Sequence, residues 1–160
     1  MGYLQDLRAL VGHRPLILPG ACALLIDPCG RLLMHRRLDN GLYGIPGGTM
    51  EPGERLEETA RRETLEETGY AAGELRLLGV YSGPALFYCY PNGDETYHVT
   101  AAYICTDFKP VSTDLDGESL SPEFFPLVSL PEAVSPPIVP ILRDLQALWL
   151  PKQNAADAHP

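Results

Sequence analysis

The order of apolar and polar residues along the chain predicts helices at both ends and strands in between. Apolar residues at positions 3, 4, 7, 10 and 11 repeat with the period of a helix, which predicts a short amphipathic helix over residues 3–11. Apolar runs bounded by turn residues predict strands over 21–26, 32–36, 75–81, 86–90, 97–105 and 123–127. A second helix is predicted over 55–68, with a stop at Gly69.

Turn residues indicate how these elements connect. The segment Asp27-Pro28-Cys29-Gly30 favours a tight turn and predicts a hairpin of the first two strands, and Asn92-Gly93 predicts an antiparallel hairpin further on. Residues 109–121 are predicted to form a polar loop. A last helix is expected at about 138–150, after two prolines, and residues 151–160 are expected to form a frayed tail. We therefore predict one α/β domain over 1–160, with a mixed sheet and helices on its faces.

Composition and charge narrow the class of protein. The chain has 160 residues, 45% hydrophobic and 21% charged, which is typical of a globular domain. No apolar run approaches a membrane span and the start lacks a signal-peptide core, so we expect a cytoplasmic protein without membrane contact. The net charge of −9 argues against a DNA-binding surface. A small anionic substrate fits if divalent cations invert the local field.

A glutamate-rich segment carries the candidate chemistry. On the helix over 55–68, Glu63, Glu66 and Glu67 fall at i, i+3 and i+4 and share one face. One interpretation is a solvated charged helix in which Arg62 pairs with Glu58 and Glu66. The other is a site for a hard cation such as Mg²⁺ or Mn²⁺, which carboxylate oxygens bind well.

The spacing of this segment resembles the signature box of the Nudix hydrolases, here residues 48–70. Seven fixed positions of the box match: Gly48, Glu54, Arg62, Glu63, Glu66, Glu67 and Gly69. The family usually has aliphatic residues where Thr64 and Tyr70 stand, and neither departure touches a charged role. The resemblance implies the family's alpha/beta/alpha sandwich, in which helices flank a central mixed sheet.

The resemblance also implies a function and roles for residues. It implies a metal-dependent hydrolase that cleaves the diphosphate linkage of a nucleoside diphosphate derivative by water attack at phosphorus, with Mg²⁺ or Mn²⁺ as cofactor. Glu66 and Glu67 would be metal ligands, Glu63 a ligand or general base, and a carbonyl of Gly47 or Gly48 a further ligand. Arg62 would orient the glutamates, whereas the residues that support the box would be Gly47, Glu54 and Gly69.

Candidates outside the box come from flanking elements. By the same resemblance Glu118, in the acidic turn 116–119, would be an extra metal ligand or base; the alternative is a solvent-facing turn acid. Arg36 and Arg37 are candidate phosphate contacts, of which strand alternation lets only one face the cleft. Tyr88 is a candidate substrate contact among several aromatic residues that could recognise a base. His35 and His98 lie on predicted strands, where packing is the favoured interpretation.

The substrate stays open at this point. Pro84 and Tyr88 lie near positions that separate ADP-ribose hydrolases from dinucleoside polyphosphate hydrolases within the family, and the two cues conflict. Oxidised nucleoside triphosphates and nucleotide sugars are further alternatives. A catalytically silent Nudix-like domain that senses a nucleotide is the rival class. The helix over 3–11 could contribute to a homodimer, and a monomer fits the sequence equally well.

Overall fold

Two long parallel strands form the centre of the fold. The computed structural model describes residues 2–112, 114–118 and 120–156, with side chains described up to residue 150. Strand β1 (Leu16–Leu25) pairs in parallel with β8 (Glu95–Cys105) along its whole length. Strand β4 (Gly47–Thr49) lies antiparallel to β1, while β6 (Arg76–Tyr81) and β7 (Phe87–Cys89) lie antiparallel to β8. The central sheet is therefore mixed, as predicted.

Helices cover both faces of this sheet. Helix α2 (Leu56–Thr68) packs Ala60 against Ala21 and Ala101 on one face. Helix α3 (Val139–Ala156) places Ile141, Leu142 and Leu145 in the core on the other face. The third helix, α1 (Tyr3–Val11), matches the predicted bounds and has no buried residue. The predicted alpha/beta/alpha arrangement is confirmed.

Two smaller sheets complete the fold. One consists of β10 (Glu123–Pro126), β2 (Arg31–Arg36) and β3 (Tyr43–Gly44) in that order. The other pairs β5 (Tyr70–Ala72) with β9 (Phe108–Pro110). The sequence did not predict β3, β4, β5 or β9, because two- and three-residue strands are too short to show a period.

The first predicted hairpin forms only at its turn. Gly30 donates its backbone N–H to the carbonyl of Asp27, and Ile26 and Leu32 make one antiparallel bridge. Beyond that bridge β1 and β2 enter different sheets. Strand β8 pairs with one edge of β1, and β4 pairs with the other edge over residues 20–22, where a longer hairpin would have placed β2.

The C-terminal helix is longer than predicted. Residues 151–156 continue α3 beyond the predicted end at about residue 150, and fraying of this tail remains a prediction. Four of the six residues in this stretch have high helix propensity, namely Lys152, Gln153, Ala155 and Ala156. Residues 157–160 of the predicted tail lie outside the described part of the chain. No helix within the described ranges is both long and apolar enough to cross a bilayer.

The end of α2 depends on a glycine. Gly69 has φ 73° and donates its N–H to the carbonyl of Leu65 at 2.9 Å. A Cβ atom at this position would lie 2.1 Å from the backbone carbonyl oxygen of Ser112. Because the clash is with backbone, no side-chain rotation relieves it.

We expect Gly69→Ala to lower the free energy of unfolding by more than about 2 kcal/mol, since the clash adds to the left-handed penalty of about 1–2 kcal/mol. Urea denaturation measures the loss. Gly53→Ala is the control, because Gly53 also has positive φ but a Cβ there meets nothing within 4 Å. Equal losses in the two variants would contradict a role for the clash.

Candidate active site

Arg62 ties α2 to the loop that precedes it. Its Nε lies 2.6 Å from Oε1 of Glu54, and its Nη1 lies 2.7 Å from Oε1 of Glu63 and 3.3 Å from Oε2 of Glu66. Nη2 donates to the carbonyl of Thr49 at 3.2 Å. The guanidinium therefore joins two helix carboxylates to β4 and to the loop acid.

The predicted pairing of Arg62 is half correct. The i,i+4 contact with Glu66 forms, whereas the Glu58 carboxylate instead accepts the backbone N–H of Arg55 at 2.8 Å. That bond satisfies a free N–H at the start of α2, where a carboxylate is favoured. Glu58 thus belongs to the helix start rather than to the Arg62 network.

Glu54 holds the loop between β4 and α2 together. Its carboxylate accepts from Arg62, from the Thr59 hydroxyl at 2.8 Å and from the backbone N–H of Glu51 at 2.8 Å. The bond from Arg62, helped by those from Glu51 and Thr59, lowers the pKa of Glu54 to about 2. Glu54 is therefore ionised at neutral pH and fixed in place by the loop it supports.

Glu67 is the buried carboxylate of the site. Its side chain is 10% exposed, and Oε2 accepts the backbone N–H of Gly47 at 2.8 Å. Burial, followed by the negative charges of Glu63 and Asp116, raises the pKa of Glu67 to about 9. Nε2 of His35 lies 3.8 Å from the same oxygen. Burial lowers the pKa of His35, so this histidine is neutral at pH 7 and supplies no full countercharge.

Glu63 lies directly against Gly48. A Cβ atom on Gly48 would be 2.5 Å from Oε1 of Glu63, so only glycine leaves the carboxylate this close to β4. Burial raises the pKa of Glu63 even though Arg62 opposes the shift. Glu63 and Glu67 therefore form a pair of desolvated acids beside two consecutive glycines.

The acidic side chains are of the type that binds a hard cation, but they are not arranged around a common ion position. Within the described residues, no three acidic, histidine or cysteine side chains are gathered closely enough to hold an ion. Glu66 is 49% exposed and reaches towards Arg62. The oxygen donors nevertheless suit Mg²⁺ or Mn²⁺, and a cation would favour the ionised forms that burial and neighbouring acids disfavour at Glu63 and Glu67.

A cleft extends from the box glycines across the inner face of the central sheet. Its wall includes Gly47, Gly48, Arg37, Tyr88 and, from the strand region beyond, Tyr90 and His98. Of the two arginines considered, Arg37 lines the cleft. Arg36 is exposed and donates its Nε to the carbonyl of Gly41 at 3.0 Å. The structure thus places the predicted residues Arg37 and Tyr88 beside the box and Arg36 outside the cleft.

An acidic turn approaches the same glutamates from the other side. A second pocket is lined by Arg37, Asp39, Glu67 and Glu118, so the predicted extra acid lies near the box. The backbone N–H of Asp116 donates to the carbonyl of Glu66 at 3.0 Å, and its charge acts on Glu63 and Glu67. Sequence reasoning singled out Glu118 and missed Asp116, whose only signal was its place two residues earlier in the same turn.

Comparison with known proteins agrees with this geometry. A family model described as "NUDIX domain" matches residues 17–145. An ADP-ribose pyrophosphatase from Methanocaldococcus jannaschii is 32% identical over 111 residues, 68% of this chain and 62% of that protein. A putative 8-oxo-dGTP diphosphatase from Bacillus subtilis is 43% identical over 65 residues, 41% of this chain and 44% of that protein. The chain thus spans about half the length of such curated relatives.

Solved structures show the same architecture. A MutT NUDIX hydrolase from Burkholderia pseudomallei superposes with a TM-score of 0.64 at 25% identity, covering 81% of this chain and 98% of that one. A NUDIX hydrolase from Nitrosomonas europaea gives a TM-score of 0.63 at 23% identity, covering 82% of this chain and 90% of that one, which supports the fold alone. The match over residues 17–145, the seven box residues and the mixed sheet between helices lead to one conclusion: the chain belongs to the Nudix family.

Proposed function

We propose that this protein is a metal-dependent Nudix pyrophosphohydrolase that cleaves the diphosphate linkage of a nucleoside diphosphate derivative. The observation that carries the proposal is the pair of desolvated acids Glu63 and Glu67, which lie against Gly47 and Gly48 at the cleft. Crowded buried carboxylates destabilise a fold unless a positive charge compensates them, and groups of this kind are common at functional sites, where a bound cation can supply that charge. The relatives named as pyrophosphatases and diphosphatases support the same reaction class.

Carboxylate oxygens of the box and one backbone carbonyl would be the ligands of the metal. Nudix hydrolases generally use divalent metal ions, and here Glu63, Glu66, Glu67 and the Gly48 carbonyl would hold Mg²⁺ or Mn²⁺, with Glu118 as an additional ligand. When bound, such a cation neutralises phosphate charge and lowers the pKa of coordinated water. The Arg62 contacts with Glu63 and Glu66 orient two of these carboxylates from behind.

Binding of the substrate phosphate would depend on an arginine beside the glutamates. Arg37 lies between the glutamates and the aromatic part of the cleft, where its guanidinium can bind a phosphate in the bidentate manner. It now donates Nε and Nη2 to Asp39 at 3.0 and 2.7 Å. A substrate phosphate would replace that partner.

The proton of the attacking water needs a nearby acceptor. Glu63 and Glu118 are the proposed candidates, and a raised pKa makes Glu63 a better proton acceptor near neutral pH than an ordinary glutamate. General-base assistance of this kind contributes about 10²- to 10⁴-fold in rate. The attack breaks one phosphorus–oxygen bond of the anhydride and leaves two phosphate-bearing products.

A nucleotide-sensing domain without turnover is the second candidate. One observation favours it, namely that no three acidic, histidine or cysteine side chains among the described residues are gathered closely enough to hold a cation. The buried acids favour the hydrolase, because a pure sensor gains nothing from keeping Glu63 and Glu67 crowded together. Substitution of Glu67 by Gln separates the two functions, because only a hydrolase has turnover to lose.

A panel of substrates tests the proposal. ADP-ribose, dinucleoside polyphosphates, 8-oxo-dGTP and nucleotide sugars would each be incubated with Mg²⁺ and with Mn²⁺, and the products identified by chromatography and mass spectrometry. Metal-dependent release of a nucleoside monophosphate from any of them supports the proposal. Hydrolysis in ¹⁸O-water shows which phosphorus is attacked. Absence of turnover across the panel with both metals would leave the sensor as the better interpretation.

Metal binding should be linked to the ionisation of Glu67. The folded pKa of about 9 lies above the ordinary value of 4.5, so the metal-free folded state binds more protons than the unfolded state between these values. The contribution of Glu67 to stability is therefore full below pH 4.5 and declines as pH rises towards 9.

We expect Mg²⁺ to raise the Tm more at pH 8.5 than at pH 6, because the cation favours the ionised carboxylate. Differential scanning calorimetry of wild type and Glu67→Gln, each with and without Mg²⁺, measures the effect. The variant should show a smaller pH dependence. The same increase in Tm at both pH values for wild type would contradict the linkage.

The homodimer suggested from residues 3–11 remains a prediction. Helix α1 exposes Leu10, at 85% accessibility, and Tyr3, at 47%, which leaves an apolar surface available to a second copy. Light scattering coupled to size-exclusion chromatography would distinguish dimer from monomer.

A further inference from the structure

His98 lies on the cleft face of β8, at the end away from the glutamates. Thr96, His98 and Thr100 alternate with residues that point to the opposite side of the sheet, among them Tyr97. The Tyr90 ring lies 6.4 Å from that of His98 and 4.8 Å from that of Tyr88, and all three residues line the cleft. This aromatic end of the cleft takes no part in the chemistry proposed above.

The proton positions around His98 follow from its neighbour. The Thr96 hydroxyl donates its single proton to the carbonyl of Tyr88 at 3.3 Å. Nε2 of His98 lies 2.9 Å from the same Thr96 oxygen, and both contacts of that oxygen are satisfied together only when Nε2 carries the hydrogen. Nδ1 is then left as an acceptor, and within the part of the chain that the structure describes no donor satisfies it.

The imidazole keeps this acceptor at neutral pH. Burial, followed by the positive charge of Arg37, lowers the pKa of His98 and keeps the ring uncharged. A neutral imidazole with a protonated Nε2 presents one lone pair at Nδ1. The cleft therefore combines aromatic surface with a single hydrogen-bond acceptor at the same end.

We propose that His98 selects the base of the nucleotide, with Nδ1 accepting a hydrogen bond from the exocyclic amino group of an aminopurine. This inference rests on the proposed function only in that the cleft binds a nucleotide. Tyr88 and Tyr90 supply the apolar surface on which a base packs. A purine with a carbonyl at the corresponding position places two acceptors against each other, which weakens binding of such an analogue.

Binding of AMP and IMP tests the inference without any hydrolysis. The two nucleotides differ by a 6-amino against a 6-oxo group, and neither contains an anhydride. In NMR titrations with Mg²⁺ present, we expect wild type to bind AMP about 10-fold more tightly than IMP, since one hydrogen bond gained or opposed is worth about 1.4 kcal/mol. His98→Phe keeps a ring and removes the acceptor, so the ratio should fall to within about twofold.

Tyr97→Phe is the matched control, because Tyr97 neighbours His98 on the same strand but faces away from the cleft. It should keep the wild-type ratio. Imidazole ¹⁵N shifts of wild type should show the hydrogen on Nε2, a measurement that does not depend on the variants folding. Protonation at Nδ1, a wild-type ratio within twofold of one, or a ratio unchanged in folded His98→Phe would overturn the inference.

These outcomes are separable from those of the proposed function. Selective AMP binding that depends on His98, together with no turnover of any substrate, would reject the hydrolase and keep the base-selecting role. Metal-dependent hydrolysis that treats adenine and hypoxanthine substrates alike would do the reverse.

Discussion

Replacing Glu67 with Gln is expected to lower the rate of hydrolysis by about 10²- to 10³-fold, because several kcal/mol of charge stabilisation depends on the cation it would hold. The side-chain amide can still accept the Gly47 N–H through its oxygen, so the β4 contact survives. With a pKa of about 9, Glu67 is protonated at neutral pH in the metal-free protein, so a neutral Gln of similar shape should leave the unfolding free energy nearly unchanged. The loss would therefore be one of chemistry rather than of folding.

Steady-state kinetics on whichever compound of the panel turns over, at several Mg²⁺ concentrations, measures this effect. Glu57→Gln is the matched control, since Glu57 lies on the same helix but is exposed and distant from the Arg62 network. Full activity of Glu67→Gln would reject the metal role. Nucleotide affinity without turnover in both wild type and variant would instead identify a sensor.

The longer elements were predictable from the sequence, and most of the short strands were not. Helix α2 has 13 residues and strand β8 has 11, and both formed close to the predicted ranges 55–68 and 97–105. Strands β3 and β4 have two and three residues, and their existence depends on partners far away in sequence. The hairpin prediction failed for the same reason, because β4, which is distant in sequence, pairs with β1 where the adjacent strand β2 was expected.

The candidate site divides in a similar way. Residues of one helix, such as Glu63 and Glu67, could be placed on a common face from spacing alone. The contact of Asp116 with the carbonyl of Glu66 joins a distant loop to α2, and no local pattern announces it. His98 was interpreted as a packing residue, since the sequence does not show that Thr96 occupies one ring nitrogen and leaves the other facing a cleft.

Replacing Arg62 with Ala is expected to reduce both stability and activity, because one guanidinium holds Glu54, Glu63 and the Thr49 carbonyl. Loss of the partner leaves two partly buried carboxylates uncompensated. We expect a decrease of about 1–2 kcal/mol in the unfolding free energy, less than for a fully buried pair because Arg62 is 28% exposed. Misorientation of Glu63 should lower kcat by about 10- to 100-fold, the usual effect of losing a partner that orients metal ligands.

Arg61→Ala is the control, since the Arg61 guanidinium reaches the Gly73 carbonyl at the surface and takes no part in the carboxylate network. It should change stability by less than about 0.5 kcal/mol.

The loss of stability in Arg62→Ala should also depend on pH. The folded pKa of Glu54 is depressed to about 2 from 4.5, so the stability it gains from Arg62 is present above pH 4.5 and is lost as pH falls towards 2. Urea denaturation should therefore show the gap between wild type and Arg62→Ala narrowing over that window, and a gap that stays constant would mean that Arg62 stabilises the fold by packing rather than by charge.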